Sequence, residues 1–112
     1  PFAWSHPACP DLLVVHASLQ SDSDTILAHT PADVVERVLA GAGAGLVVRA
    51  HNHVCSQRTW SGGRVVTAGS VGLAQDGHPS AQFTVLEHRK EGWCVDHRSV
   101  RYDVGRTLRR FR

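Results

Sequence analysis

Two short apolar runs constrain the fold of this chain more than any other feature. Residues 11–15 (DLLVV) end in His16, and residues 45–48 (GLVV) lead into His51-Asn52-His53. Nearly continuous apolar runs of this length are typical of strands that are covered on both faces of a sheet. Each run therefore predicts a buried strand, and each strand is followed by imidazole side chains.

The stretch between the two runs carries the signals of a loop and one helix. Residues 18–29 are polar and predict a loop, after which Thr30 is expected as N-cap, Pro31 at the first helical position and Asp33 in the first turn. The side chains at core spacing are Val34, Val35, Val38 and Leu39. The glycine-rich residues 41–45 end the helix. The order strand, helix, strand favours a right-handed parallel crossover.

The second half of the chain predicts short strands and turns. Residues 64–67 (RVVT) follow the glycine pair 62–63 and predict a strand, and residues 69–72 (GSVG) predict a tight turn. Residues 82–88 and 93–100 alternate in polarity around residues 89–92, which favours an antiparallel hairpin. No internal repeat or domain boundary is visible, so we expect one α/β domain.

Composition excludes several classes of protein. The 112 residues carry a formal net charge of +2, which gives no strong prediction of an acidic partner. Six arginines crowd the C-terminal end: Arg98, Arg101, Arg106, Arg109, Arg110 and Arg112. A solvated terminal helix explains them as well as a phosphate or nucleic-acid site does, so we do not expect nucleic acid as a partner.

The cysteines indicate the redox setting. Cys9, Cys55 and Cys94 are odd in number and form no CxxC pair, so neither a disulfide framework nor a four-cysteine zinc site follows. A reducing, cytoplasmic location is the prediction. No apolar run approaches the roughly 18 residues of a membrane span, and no signal-peptide pattern is present.

The histidines predict a metal site. Ligand sites in open α/β sheets lie outside the carboxyl ends of the strands, so His16, His51 and His53 are expected to converge. On an extended segment, a His-x-His pair places both side chains on the same side. Neutral imidazole is a common ligand of zinc, manganese and iron. The ordinary alternative is that one or more of these rings simply hydrogen-bonds a backbone carbonyl.

A series of segments resembles one known family. Residues 14–18 (VVHAS), 50–54 (AHNHV) and 67–72 (TAGSVG) occur in the order seen in calcineurin-like metallophosphoesterases. They are similar to the compact bacterial branch related to phosphodiesterases and diadenosine tetraphosphatases. That branch has a strand ending in His, a Gly-His-Thr-His motif and an Asn-Pro-Gly-Ser-Val-Gly turn. Residues 76–79 (DGHP) and 101–104 (RYDV) extend the resemblance over nearly the whole chain.

The resemblance implies a metal-dependent phosphodiesterase or phosphatase. His16 and His51 would bind one ion of a dinuclear centre and His53 the other, with manganese expected and iron, zinc or nickel as alternatives. The chain departs from the motifs at Ala50, Asn52 and residues 67–68 (TA), but none of these changes removes a ligand. The implied fold is a four-layer α/β sandwich.

The family's Gly-Asp and Gly-Asn-His motifs do not occur in these residues, and the one Asp-x-His tripeptide, at residues 76–78, follows the 67–72 segment, whereas the family's motif lies in its N-terminal half. The resemblance therefore implies that residues 1–112 form the C-terminal half of a single metallophosphoesterase domain. A missing N-terminal half would be its partner and a phosphate ester its substrate; homo-oligomerisation is left open. Isolated, the chain is expected to be inactive, because three neutral imidazoles cannot replace a carboxylate that bridges two cations. Asp22 and Asp24 follow His16 but are expected to face water.

Two alternatives stay open at the level of sequence. One is a non-catalytic module that binds metal or a protein partner. The other is a cupin-like mononuclear metal protein, because Gly45 followed by His51-x-His53 fits the opening of a cupin motif. The glutamate expected there is absent, and Gln57 stands near its place.

Overall fold

Three parallel strands form the centre of a five-stranded mixed sheet. The computed structural model describes residues 1–112. Its sheet contains β1 (Ala3–His6), β2 (Cys9–Val15), β3 (Leu46–Arg49), β4 (Ser56–Trp60) and β5 (Gly63–Thr67). The strand order is β1-β2-β3-β5-β4, in which β2, β3 and β5 are parallel and the two outer strands antiparallel. The carboxyl ends of β2, β3 and β5 therefore lie along one edge.

The predicted strand–helix–strand unit is confirmed. Helix α1 (Ala32–Val38) connects β2 to β3, which pair in parallel from Leu12 opposite Leu46 to Val14 opposite Val48. The predicted core face of the helix is buried at Val35, Val38 and Leu39, and Val34 is half-buried.

The predicted helix start is wrong by one residue. The N-cap is Pro31, with ψ of 143°, and no side chain caps the helix. The Thr30 hydroxyl instead accepts a hydrogen bond from the backbone N–H of Leu27 at 2.8 Å. It therefore closes the preceding turn, and no N–H group of the helix donates to it.

Strands β1 and β4 are not predicted by the apolar pattern. All four residues of β1 are exposed, and β4 has the sequence SQRTW, whose side chains alternate between half-buried and exposed. Both are edge strands that gain their pairing from a neighbour. The apolar pattern of a strand is weak when the strand pairs on one side only and few of its side chains contact the core.

The predicted hairpin is confirmed and forms a separate layer. Strands β6 (Ser80–Arg89) and β7 (Gly92–Arg101) pair antiparallel over their full length. Leu86, Trp93 and Val95 of the hairpin pack against a buried cluster of Leu12, Leu46 and Val66 on one face of the five-stranded sheet. The opposite face packs against α1 through a second cluster: Val15, Ile26, Val35, Val38, Leu39, Val47 and Val65.

The chain thus forms three layers, which are α1, the five-stranded sheet and the hairpin. The expected four-layer sandwich requires a further layer that these residues do not form. The short helix α2 (Val104–Arg109) ends the chain; it buries no residue, as expected for a solvated basic helix, and Asp103 caps its start. All three cysteines are free thiols. Neither helix has the length and hydrophobicity that a membrane-spanning helix requires.

Candidate metal centre

His16 and His51 meet at the carboxyl edge of the sheet. The Nε2 atom of His16 lies 3.3 Å from the Nδ1 atom of His51, and the two rings meet edge to face with centroids 5.2 Å apart. The two rings are close together because β2 and β3 pair in parallel and end side by side. The pairing continues past the strand ends, where the Ala50 N–H donates to the His16 carbonyl at 2.9 Å. The predicted convergence of these two histidines is confirmed.

The His51-Asn52-His53 segment is not extended, so the prediction that it continues the strand is wrong. Strand β3 ends at Arg49, and His51 and His53 have φ of 72° and 58°, the only positive values among the non-glycine residues. Left-handed backbone is unfavourable for a residue with a Cβ atom, by about 1–2 kcal/mol. The residue between them is held firmly: the Asn52 amide group donates to the Ile26 carbonyl at 2.6 Å.

His53 is oriented by a different part of the chain. Its Nδ1 atom lies 2.9 Å from the Leu73 carbonyl oxygen. Because a carbonyl only accepts, Nδ1 carries a proton, and in the neutral ring Nε2 then has the lone pair. Many metal-binding histidines are oriented in this way, with one ring N–H donated to a carbonyl and the other nitrogen facing the metal.

The residues 69–72 form the predicted structural turn and bring Leu73 to His53. The Ser70 hydroxyl accepts from the Leu73 N–H at 2.9 Å, and the Ser70 carbonyl accepts from the Gln82 N–H at 3.0 Å. Gly69 is needed for close packing, because a Cβ atom there would lie 2.2 Å from Oε1 of Gln82. The nearby thiol of Cys55 is half-buried, and burial raises its pKa.

Arg49 is the residue of this region that sequence reasoning missed. It is the last residue of β3 and is 1% exposed, and all five of its N–H groups donate. The acceptors are the carbonyls of Ala17, Asp24 and Ile26 and the side-chain oxygens of Asn52 and Thr67. Burial lowers its pKa to about 10, opposed by the charge of Asp24, so it is a cation at neutral pH. The only sequence signal is a charged residue at the end of an apolar run.

The two nearby aspartates occupy different environments. Asp22 is exposed, as expected. Asp24 is half-buried, contrary to expectation, because its carboxylate accepts a hydrogen bond from the Ser18 hydroxyl at 2.6 Å. No group of three or more His, Cys, Asp or Glu side chains is arranged to hold a metal ion. The structure therefore brings together His16 and His51, and places His53 against Leu73.

An open cleft of about 420 Å³ adjoins His51. It is lined by Thr25, Leu27, His51, Asn52, Val54 and Gln75. A larger cleft, of about 570 Å³, lies between Asp76 and Arg101 and includes none of the three histidines. A small ligand next to His51 thus has space on the side of residues 25–27.

The comparisons with known proteins identify the fold. No protein-family model matches the sequence, and no curated protein has a significantly similar sequence. A metallophosphoesterase from Sphaerobacter thermophilus is similar over 97% of this chain and 52% of its own, with a TM-score of 0.78 and 19% identity. The fold is metallophosphoesterase-like.

A second solved structure agrees. A hypothetical protein from Pyrococcus horikoshii is similar over 88% of this chain and 39% of its own, with a TM-score of 0.73 and 23% identity. The chain thus spans about half, or less, of each of these structures. At sequence identities of 19% and 23%, the structural similarity to these two proteins shows the fold alone.

The metallophosphoesterase-like fold excludes the cupin alternative. Cupins are jelly rolls of antiparallel strands. Here the His51-Asn52-His53 segment follows the middle one of three parallel strands, and a helix connects two of them.

Proposed function

We propose that this chain supplies histidine ligands to a divalent-metal centre that hydrolyses phosphate esters. His16 and His51 would bind one ion, and His53 would bind a second. Manganese is the expected metal, with iron, zinc or nickel as alternatives. The metallophosphoesterase-like fold supports phosphoester hydrolysis as the class of reaction.

The separation of the His16 and His51 nitrogens carries the proposal. Two ligands bound 2.0–2.1 Å from one tetrahedral ion are about 3.3–3.4 Å apart. Nε2 of His16 and Nδ1 of His51 are 3.3 Å apart, so their separation matches that of two ligand atoms on one ion. Without an ion the same two atoms can share one proton in a hydrogen bond.

His53 supports a second position. Its Nδ1–H is donated to Leu73, which leaves Nε2 as the ligand atom. The left-handed backbone at His51 and His53 also supports a functional role, since strained residues cluster at binding and catalytic sites.

The metal ions, when bound, supply Lewis acidity toward the phosphoryl oxygens and lower the pKa of water. The chain's own part is to orient three neutral imidazoles at the sheet edge. The Asp24 carboxylate accepts from Ser18 through Oδ2, and it belongs to no group of side chains arranged to hold a metal ion. We therefore propose that carboxylate ligands come from an N-terminal half of the domain, outside these 112 residues.

Zinc titration by calorimetry tests the ligand assignment on the 112-residue chain. Zn²⁺ is the probe because imidazole binds it well and it has no redox chemistry. His16→Ala and His51→Ala should each weaken binding by more than about 100-fold, since losing even an outer-shell partner costs 10–100-fold. His29→Ala is the matched control, because His29 is exposed in the loop before α1.

Unchanged zinc affinity in the His16→Ala and His51→Ala variants would reject these ligands. The reaction is tested separately, with Mn²⁺ and a generic phosphodiester, in a longer chain that also carries the carboxylates. Hydrolysis that is lost in the His51→Ala variant is expected. A longer chain that stays inert and binds no metal contradicts the proposed function.

A further inference from the structure

Arg49 joins the two chain segments that carry the histidines. Its Nε–H donates to the carbonyl of Ala17, the residue after His16. Its Nη2 group donates at 3.1 Å to the side-chain oxygen of Asn52, the residue between His51 and His53. One guanidinium therefore contacts both sides of the candidate metal centre without contacting a histidine ring.

The same group also fixes the surroundings of the centre. Nη1 donates to the Thr67 hydroxyl at the end of β5, and Nη1 and Nη2 donate to the carbonyls of Ile26 and Asp24 in the preceding loop. The planar guanidinium has five donors in fixed directions, so it can hold five acceptors in one arrangement. A lysine has three donors on a flexible stem and cannot reproduce this geometry.

A requirement for stability alone does not explain an arginine here. Arg49 is buried, and no carboxylate lies within ion-pair distance of its guanidinium. Buried charges are expensive, and well-packed apolar residues often replace them without loss of stability. An apolar residue could make none of the five hydrogen bonds, two of which set the positions of Ala17 and Asn52.

We propose that Arg49 is a positioning residue that holds His16, His51 and His53 in the arrangement that binds metal. It acts through Ala17 on the His16 side and through Asn52 on the other side. Asn52 lies between two left-handed residues, so its anchored side chain keeps both in their unfavourable backbone conformation. The metal-binding part of this inference rests on the proposed function.

The chain contains a matched control. Arg58 is half-buried on β4, and its Nη1 group donates to the carbonyls of Leu27, Ala28 and Thr30 in the same loop that Arg49 contacts. It has no hydrogen bond to Ala17 or Asn52. Comparing Arg49→Lys with Arg58→Lys therefore separates positioning of the histidines from general anchoring of the loop.

The experiment measures zinc affinity and, without metal, the backbone of the histidine segment. Arg49→Lys and Asn52→Ala should weaken Zn²⁺ binding by about 10–100-fold, the usual effect of losing an outer-shell partner, and Arg58→Lys by less than about 3-fold. In the metal-free chain, NMR carbon shifts and amide couplings should show left-handed φ at His51 and His53. These signatures should be lost in Arg49→Lys and Asn52→Ala and kept in Arg58→Lys.

Each outcome decides between the two proposals. Folded Arg49→Lys and Asn52→Ala variants that bind zinc like the wild type overturn the positioning role, as does an equal loss in Arg58→Lys. A wild-type chain that binds no zinc overturns the metal centre; the NMR signatures alone then decide whether Arg49 positions the segment. If Arg49→Lys does not fold, Asn52→Ala decides, because its half-exposed side chain can be removed with less effect on the core.

Discussion

Replacing His51 or His53 by glycine should stabilise the chain relative to alanine at the same position. Both substitutions remove the imidazole and its contacts, so their difference reports on the backbone alone. Alanine keeps the left-handed strain of about 1–2 kcal/mol, and glycine relieves it. Glycine also makes the unfolded chain more flexible, which costs about 0.4–1 kcal/mol. From the middle of these two ranges, the net advantage of glycine is about 0.8 kcal/mol.

His16 provides the control for this prediction, because its φ is not positive. There the strain is absent and only the unfolded-state cost applies, so glycine should be about 0.4–1 kcal/mol less stable than alanine. The sign of the Gly–Ala difference thus reverses between His16 and the two left-handed positions. Subtracting the His16 difference from the others leaves the strain itself, about 1–2 kcal/mol.

Thermal unfolding followed by circular dichroism, with a chelator present, measures these differences. For 112 residues the unfolding entropy is about 0.24 kcal/mol/K, so 1 kcal/mol corresponds to about 4 °C in Tm. Glycine variants at 51 and 53 should melt about 2–4 °C above the alanine variants. Glycine variants that melt below alanine variants at 51 and 53, as expected at 16, would refute the argument.

Two further predictions concern packing and pH. Gly63→Ala should lower the free energy of unfolding, measured by urea denaturation, by about 2–4 kcal/mol. A Cβ atom at this position would lie 2.1 Å from the Gly45 carbonyl oxygen, and the backbone φ of 139° is unfavourable for alanine. A variant whose stability is within about 0.5 kcal/mol of the wild type contradicts this prediction. Hydrogen bonds from the Ser61 hydroxyl and from the Ser61 N–H, the first being the larger cause, lower the pKa of Glu36. These bonds therefore stabilise the folded chain fully above the ordinary glutamate pKa, and the stabilisation is lost as the pH falls through the lowered pKa of the folded state. Glu36→Gln should therefore lower Tm at pH 7, and the gap should close below about pH 4; a gap that is independent of pH is the contrary result.

The central strands, the helix and the hairpin could be predicted because their signals are local. The apolar runs before His16 and His51 and the spacing of Val35, Val38 and Leu39 each define a buried face within a few residues. The meeting of His16 and His51 also followed, since parallel strands end at one edge of a sheet. The edge strands β1 and β4 could not be predicted, because few of their side chains are buried and their sequences lack an apolar run, although each pairs with the next strand along the chain.

The apolar runs and the helix signals between them are enough to predict that two buried strands place imidazoles at one sheet edge. How those imidazoles are held depends on contacts that exist only in the folded chain. The left-handed backbone at His51 and His53 and the turn that presents Leu73 to His53 depend on groups distant in sequence. In the sequence, Arg49 is recognisable only as a charged residue at the end of an apolar run. Its role appears only where five acceptors from Ala17 to Thr67 surround one guanidinium, since a hydrogen-bond network is a property of the folded chain.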